Sequence, residues 1–185
     1  MTIEFQNIID TSEELIEVVR NWRNSNQVSR YMITNHYITI EEHQRWIEKL
    51  RTTNTAKAWL IRYKGKPVGI VSLPHIDYTK KTAEWGFYIA NETARGKGIG
   101  STALYKLMEY VFEKLHFNTM TTFVLENNPV AIHMYEKFGF IKDQKTSQQL
   151  IRDKKQINVY TMRISKEEWE CRKEEIPHLS DSELF

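Results

Sequence analysis

The hexapeptide Arg95-Gly96-Lys97-Gly98-Ile99-Gly100 constrains this chain more than any other segment. It follows an aromatic, strand-like run, Glu84-Trp85-Gly86-Phe87-Tyr88-Ile89, and opens an amphipathic run from Ser101 to Lys114 that reads as a helix. A strand therefore has to deliver the chain to a turn, and the turn to a helix N-terminus. Glycines at alternate positions let backbone N–H groups converge on one point, and the helix behind them adds the positive end of its dipole. That combination suits a pyrophosphate, and Arg95 and Lys97 add mobile positive charge. A glycine-rich turn leading into a helix is the plainer reading of the same residues.

Among nucleotide loops the spacing discriminates. A Walker loop ends in Gly-Lys-Ser/Thr, whereas this one runs Gly98-Ile99-Gly100-Ser101. The dinucleotide fingerprint needs G-x-G-x-x-G, and the glycines here are 96, 98 and 100. The pattern [Arg/Gln]-x-x-Gly-x-[Gly/Ala] fits at every position. It resembles the coenzyme A loop of the Gcn5-related N-acetyltransferases, the GNAT family. A second segment, Asn128-Pro129-Val130-Ala131-Ile132-His133-Met134-Tyr135 followed by Gly139-Phe140, resembles the C-terminal half of the same family, in the expected order.

Composition sets the frame. The chain has 185 residues, 41% of them hydrophobic, which suits one domain with a full core, residues 1–185, ending in a helical extension over 165–185. A formal net charge of +2 gives no indication of a nucleic-acid partner. The single cysteine, Cys171, allows no internal disulfide and fits a reducing compartment. The N-terminus lacks the pattern of a signal peptide and no run is long enough to span a membrane, so a soluble cytoplasmic protein is expected. The histidines show no metal-ligand spacing, and no metal is implied.

Periodicity outlines the elements. Strands are expected over Thr2 to Ile8, Lys57 to Tyr63, Val68 to Leu73, Thr82 to Ile89 and Met120 to Leu125, with a final pair over Phe138 to Lys142 and Ile157 to Ile164. Thr11-Ser-Glu-Glu14 and Thr39-Ile-Glu-Glu42 read as capping boxes, Asn128-Pro129 as a helix start, and Ser165-Lys-Glu-Glu168 as the cap of a charged C-terminal helix. Asn24 to Tyr37 reads as irregular. The fold class is α+β, a mixed central sheet flanked by helices, and it matches the arrangement that the GNAT resemblance implies.

The resemblance also implies a reaction: acetyl transfer from acetyl-CoA to an amine, by direct attack in a ternary complex. Arg95 to Ser101 would hold the pyrophosphate, and the backbone of Phe87, Tyr88 and Ile89 would pair with the pantetheine arm. Tyr135 is the candidate for the leaving thiolate. A phenol of pKa about 10 stays a donor at neutral pH, beside a thiol of pKa about 8.5. The competing role is packing, as expected of Tyr105 and Tyr110. Asn128 either caps its helix or also reaches the cofactor arm. Glu84 is the candidate base, or else an exposed or cross-strand-paired carboxylate; Glu126 is the second choice. Relatives that act on protein N-termini often carry an acid five residues before the Asn, where this chain has Phe123.

The acceptor is set by the N-terminal region. Residues 19–32, with Arg20, Arg23, Arg30, Tyr31 and Met32, and the segment around His43 and Trp46 are similar to the GNAT branch that acetylates the 4-amino group of a UDP-linked dideoxy sugar in pseudaminic acid synthesis. Arg23 and Arg30 suit a diphosphate, and Tyr31, Met32 and His43 could face a uracil. Trp22 and Trp46 fit the apolar stripes of their helices. Two other roles remain open: a ribosomal-protein or peptide N-acetyltransferase, and a non-catalytic acyl-CoA-binding module. A homodimer is compatible with the charged C-terminal helix.

Overall fold

The computed structural model describes residues 3–143 and 148–176. The elements run β1 (Ile3–Asn7), α1 (Glu13–Asn24), α2 (Asn26–Ser29), α3 (Ile40–Thr52), β2 (Lys57–Tyr63), β3 (Lys66–Asp77), β4 (Thr82–Ile89), α4 (Ile99–Glu109), β5 (Thr119–Leu125), α5 (Pro129–Lys137), β6 (Ile141–Lys142), β7 (Gln148–Arg152), β8 (Lys155–Ser165) and α6 (Lys166–Arg172). The described strands form one sheet of order β1-β2-β3-β4-β5-β8-β6, with β7 also on β8. Every pairing is antiparallel except β4 with β5. This is the expected mixed sheet with helices on both faces.

Alternation along each strand sends its apolar residues to two cores. On one face Val71, Trp85, Met120 and Val124 pack with Leu104 and Met108 of α4, Tyr135 of α5 and Trp169 of α6. On the other, Ala58, Leu60 and Ile70 pack with Val19 of α1 and Ile47 and Leu50 of α3, with Trp22, Trp46 and Tyr88 partly buried against them. Trp169 is fully buried, so α6 seals the first core.

Local chemistry fixes most helix ends. Thr39 and Glu42 form the expected capping box at α3. Asn128 Oδ1 accepts from the Ala131 amide, with Pro129 opening α5, and Ser165 Oγ accepts from the Glu168 amide at α6. The first box is displaced: Ser12, not Thr11, caps α1, because the Thr11 hydroxyl donates to Ile8 O at 2.7 Å and closes a short 3-10 turn. The helix expected to continue to Lys114 widens into a π turn over Tyr110–Lys114, with Leu115 N donating to Tyr110 O. Two elements were not foreseen. One is the short α2 inside the polar stretch; the other is β7, which forms a hairpin with β8 across a turn with positive φ at Asp153 and Lys154. Thr2, and residues 177–185 of the expected extension, lie outside the described residues.

Candidate active site

The site begins where β4 and β5 part. β3 accompanies β4 from Asp77↔Thr82 to Gly69↔Ile89, with a bulge in which Leu73 and Pro74 lie opposite Trp85. On the other edge, β5 pairs only Thr119–Thr121 with Thr82–Glu84. Beyond Glu84 the strands diverge. The backbone groups that Phe87, Tyr88 and Ile89 turn toward β5 therefore have no strand partner there. An extended amide chain can bond to such an edge as a strand would.

At the apex of the divergence three buried side chains meet. Thr122 Oγ1 donates to Trp85 O at 3.1 Å, a side-chain tie where the backbone ladder has just ended. Tyr135 reaches the same point from α5, its ring edge-on to Trp85 at 5.2 Å. Burial drives the Tyr135 pKa well above that of a free phenol, and the Thr122 contact acts in the opposite sense. The group is therefore fully protonated at neutral pH.

The glycine loop lies between β4 and α4. Gly96 and Gly98 have φ of 71° and 76°, left-handed values open to glycine. Gly98 is the N-cap of α4 and supplies no side-chain cap, so the first-turn N–H groups are left for a ligand. Gly100 has a different reason to be glycine: a Cβ there would sit 2.8 Å from Phe87 Cε2, so it is required by helix-to-strand packing. Arg95 turns back, Nε and Nη2 donating to Ile89 O at 3.0 and 2.9 Å. Lys97 Nζ stands 5.6 Å from the Tyr63 ring centroid, beside a cavity of about 220 Å³ that Lys64 and Lys66 also line. Together with the helix dipole, this makes the neighbourhood of the loop electropositive. Ile99 is buried and Ser101 half-buried in the first turn of α4.

The remaining candidates divide by role. The Phe87 side chain is stacked on Trp85 at 5.2 Å, so its ring belongs to the core. Tyr88 projects to the opposite face, where its hydroxyl donates to Val19 O at 3.4 Å. Asn128 spends its side-chain carbonyl on the cap of α5. Glu84 is paired across the strands with His75, 2.9 Å from Oε2 to Nδ1. Glu126 accepts from Asn158 N and Nδ2 at 2.9 and 2.8 Å. Those bonds lower its pKa and make it a pin between β5 and β8 rather than a base.

On the helical side of β4 the arginines gather. Arg23 donates to the Thr34 carbonyl and hydroxyl, while its Nη1 is buried without a hydrogen-bond partner. Burial lowers the Arg23 pKa; Tyr88 opposes this, and the charge of Arg152 adds to it. Arg152, at the tip of β7, donates to the carbonyls of Arg30, Met32 and Ile33 at 2.9, 2.7 and 3.1 Å. Neither Arg23 nor Arg152 forms an ion pair among the described residues. Arg30 is exposed, its guanidinium 4.7 Å from the Tyr31 ring centroid, and Tyr31 and Met32 are half-buried. Arg20 is buried and bonded to Glu17, Tyr37 and Ile38 O, a clamp that closes the polar loop. His43 is 6% exposed and stacked on Trp46 at 5.1 Å, which leaves little of its ring for a uracil; burial pulls its pKa down to about 4.

Sequence reasoning missed Thr122, His75 and Arg152. Thr122 left one trace, a lone polar residue in phase with buried Met120 and Val124. The His75 pairing is hidden by the β3 bulge, and Arg152 meets its partners across 122 residues of chain.

A family model described as an acetyltransferase (GNAT) domain matches residues 8–141. The chain belongs to the GNAT acetyltransferases. It is an acetyl-CoA-dependent N-acetyltransferase. It is 29% identical over 138 residues to the acetyltransferase PseH of Campylobacter jejuni, covering 75% of this chain and 84% of that one. It is 26% identical over 129 residues to the spermidine N(1)-acetyltransferase of Vibrio cholerae, covering 69% and 74%. The crystal structure of spermidine N-acetyltransferase from Vibrio cholerae with CoA and spermine superposes with a TM-score of 0.80 at 20% identity, covering 90% of this chain and 97% of that one. Among the described residues, no helix of the acetyltransferase is long and apolar enough to cross a membrane, and no group of three or more His, Cys, Asp or Glu could hold a metal ion.

Proposed function

We propose that this acetyltransferase acetylates the 4-amino group of a UDP-linked amino sugar, as a single catalytic domain of which the C-terminal extension is part. The observation that carries the acceptor class is the Arg23–Arg152 pair. Both guanidinium groups donate to one short loop, Arg23 to Thr34 and Arg152 to the carbonyls of Arg30, Met32 and Ile33, and without a carboxylate counter-ion among the described residues they favour an anionic ligand. A polyamine therefore enters this side of β4 at a disadvantage, and a diphosphate with an advantage. Arg30 and Tyr31 continue the same surface. The similarity to PseH agrees with this reading; the comparable similarity to spermidine acetyltransferases makes a polyamine the competing acceptor.

The residues suit direct transfer. Acetyl-CoA supplies the acetyl group as a thioester, and the glycine loop and the edge of β4 that no strand covers beyond Glu84 fit a pyrophosphate followed by an extended amide arm. Glu84 and His75 form the base on the acceptor side, passing the amine's proton to solvent through exposed His75. Tyr135, protonated and buried at the apex, serves the departing sulfur. Cys171 is exposed on α6 and lies outside this constellation, so no acetyl-enzyme is expected.

The test is turnover with a UDP-4-amino sugar, spermidine and an N-terminal peptide at fixed acetyl-CoA. The nucleotide sugar should be the preferred acceptor. Arg152→Ala should raise its KM by about ten- to a hundred-fold, the worth of one hydrogen bond to a charged group, with acetyl-CoA KM unchanged. Efficient turnover of spermidine with none of the nucleotide sugar would reject the acceptor while leaving the acetyltransferase intact.

A further inference from the structure

We propose that Gly86 is a specificity-determining residue, a gap in the side chains of β4 that seats the carbon bearing the acceptor amine; this rests on the reading that the acceptor enters over the Glu84 face of the strand. The other glycines of the chain each have a structural reason to be glycine. Gly65, Gly96, Gly98 and Gly139 hold positive φ. A Cβ on Gly69 would collide with Tyr88 O, and one on Gly100 with the Phe87 ring. Gly86 has neither reason. It lies in the middle of β4 with ordinary strand backbone. Among the described residues, a Cβ added there would meet only Ser72 Oγ, at 3.9 Å, an ordinary van der Waals contact. Glycine inside a strand weakens it, and its position there often marks the close approach of a ligand or of another backbone. No other backbone approaches Gly86 on this face, which leaves the ligand.

The surroundings turn the gap into the floor of a cleft. Alternation puts Gly86 on the face of Glu84 and Tyr88, toward α1 and α3, while Trp85 and Phe87 turn into the opposite core. Tyr88 closes one end, its hydroxyl donating to Val19 O of α1. Glu84 stands at the other end, two residues or about 7 Å along the strand, bonded to exposed His75. On the β3 side Ser72 lies opposite Gly86 and donates to its carbonyl at 3.3 Å. On the β5 side, pairing has already stopped at Glu84. No atom of α1 or α3 comes within 4 Å of the added Cβ, and Gly86 is half-buried although Val71 and Trp85 beside it are buried. An amine above Gly86 has the Glu84 carboxylate on one side and, on the other, the free edge along which acetyl-CoA would carry its thioester. The nitrogen is small; the carbon behind it carries the bulk, and a bare backbone lets that carbon settle onto the sheet.

Gly86→Ala and Gly86→Val raise this floor in two steps. Backbone and space both accept alanine, so Tm should hold or rise by about 1–4 °C, the gain from replacing a glycine inside a strand. Acetyl-CoA KM should change little. The acceptor's kcat/KM should fall by about ten- to a hundred-fold in Gly86→Ala, the range for crowding a close contact by one methyl, and further in Gly86→Val. An unchanged acceptor kcat/KM in Gly86→Ala overturns the inference. A lower Tm with a raised acetyl-CoA KM overturns it as well, because Gly86 would then serve the sheet and not the acceptor. Both variants are assayed with whichever amine the parent enzyme turns over, nucleotide sugar or spermidine. The parent's preference decides the acceptor class and the variants decide the seat, so the two failures are distinguishable.

Discussion

Gly98 and Gly100 belong to one motif, yet the structure separates their jobs, and alanine at each position should fail differently. At Gly98 the added Cβ meets nothing within 4 Å, but φ is +76°. Holding alanine in the left-handed region costs about 1–2 kcal/mol. For a chain of this size that corresponds to roughly 2–8 °C in Tm. Relaxation toward negative φ would turn the loop's N–H groups away from their common point. Losing one such bond to a phosphate should raise acetyl-CoA KM by about ten- to a hundred-fold, with kcat at saturation preserved. At Gly100 the backbone is helical, but the Cβ lies 2.8 Å from Phe87 Cε2 and 3.2 Å from Cζ. The ring must tilt off Trp85 at an overpacking cost of about 1–3 kcal/mol, offset by up to about 1 kcal/mol of helix propensity. The Gly100→Ala signature is therefore a lower Tm and a lower kcat, as the β4 wall beside Tyr135 shifts, with a smaller change in acetyl-CoA KM. Thermal unfolding with and without acetyl-CoA, alongside steady-state kinetics in both substrates, separates the cases. Saturating acetyl-CoA at 100 times its Kd should stabilise the parent protein by about 2.7 kcal/mol, and Gly98→Ala should lose much of that shift at the same concentration. Wild-type acetyl-CoA affinity in Gly98→Ala, or the same KM increase in both variants, would refute this division of the loop.

Two further outcomes follow from buried or paired groups. Burial depresses the His43 pKa from 6.5 to about 4, so the unfolded chain binds the extra proton first as pH falls; stability is full above about 6.5 and declines toward pH 4, by up to roughly 3 kcal/mol at about 1.4 kcal/mol per pH decade. His43→Phe, which keeps a ring against Trp46, should flatten that part of the stability–pH curve in chemical denaturation, and an unchanged slope would remove His43 as its source. Glu126→Gln should lower Tm, because the new amide opposes the Asn158 side chain, and should leave kcat unchanged; a large kcat loss without a Tm change would restore Glu126 as a candidate base.

The local parts of this protein were legible in the sequence because their physics is local. β2 over Lys57–Tyr63 and β4 over Thr82–Ile89 follow from alternation of apolar side chains, and the caps at Thr39, Asn128 and Ser165 from side-chain oxygens reaching amides three residues on. The loop from Arg95 to Gly100 carried its left-handed glycines in its spacing. The displaced cap at Ser12 turned on a competing bond from Thr11 to Ile8, which spacing alone does not rank. β7 escaped notice because its hairpin turns through Asp153 and Lys154 without the glycine that usually marks such a turn. What the tertiary structure alone decided is the relation between distant segments. The parting of β4 from β5, the tie from Thr122 to Trp85, the pairing of Glu84 with His75 and the reach of Arg23 and Arg152 to the same loop all depend on strand register, on a bulge and on the reach of a hairpin. Those are set by which faces can be buried together, a property of the whole sheet that no single window of sequence contains.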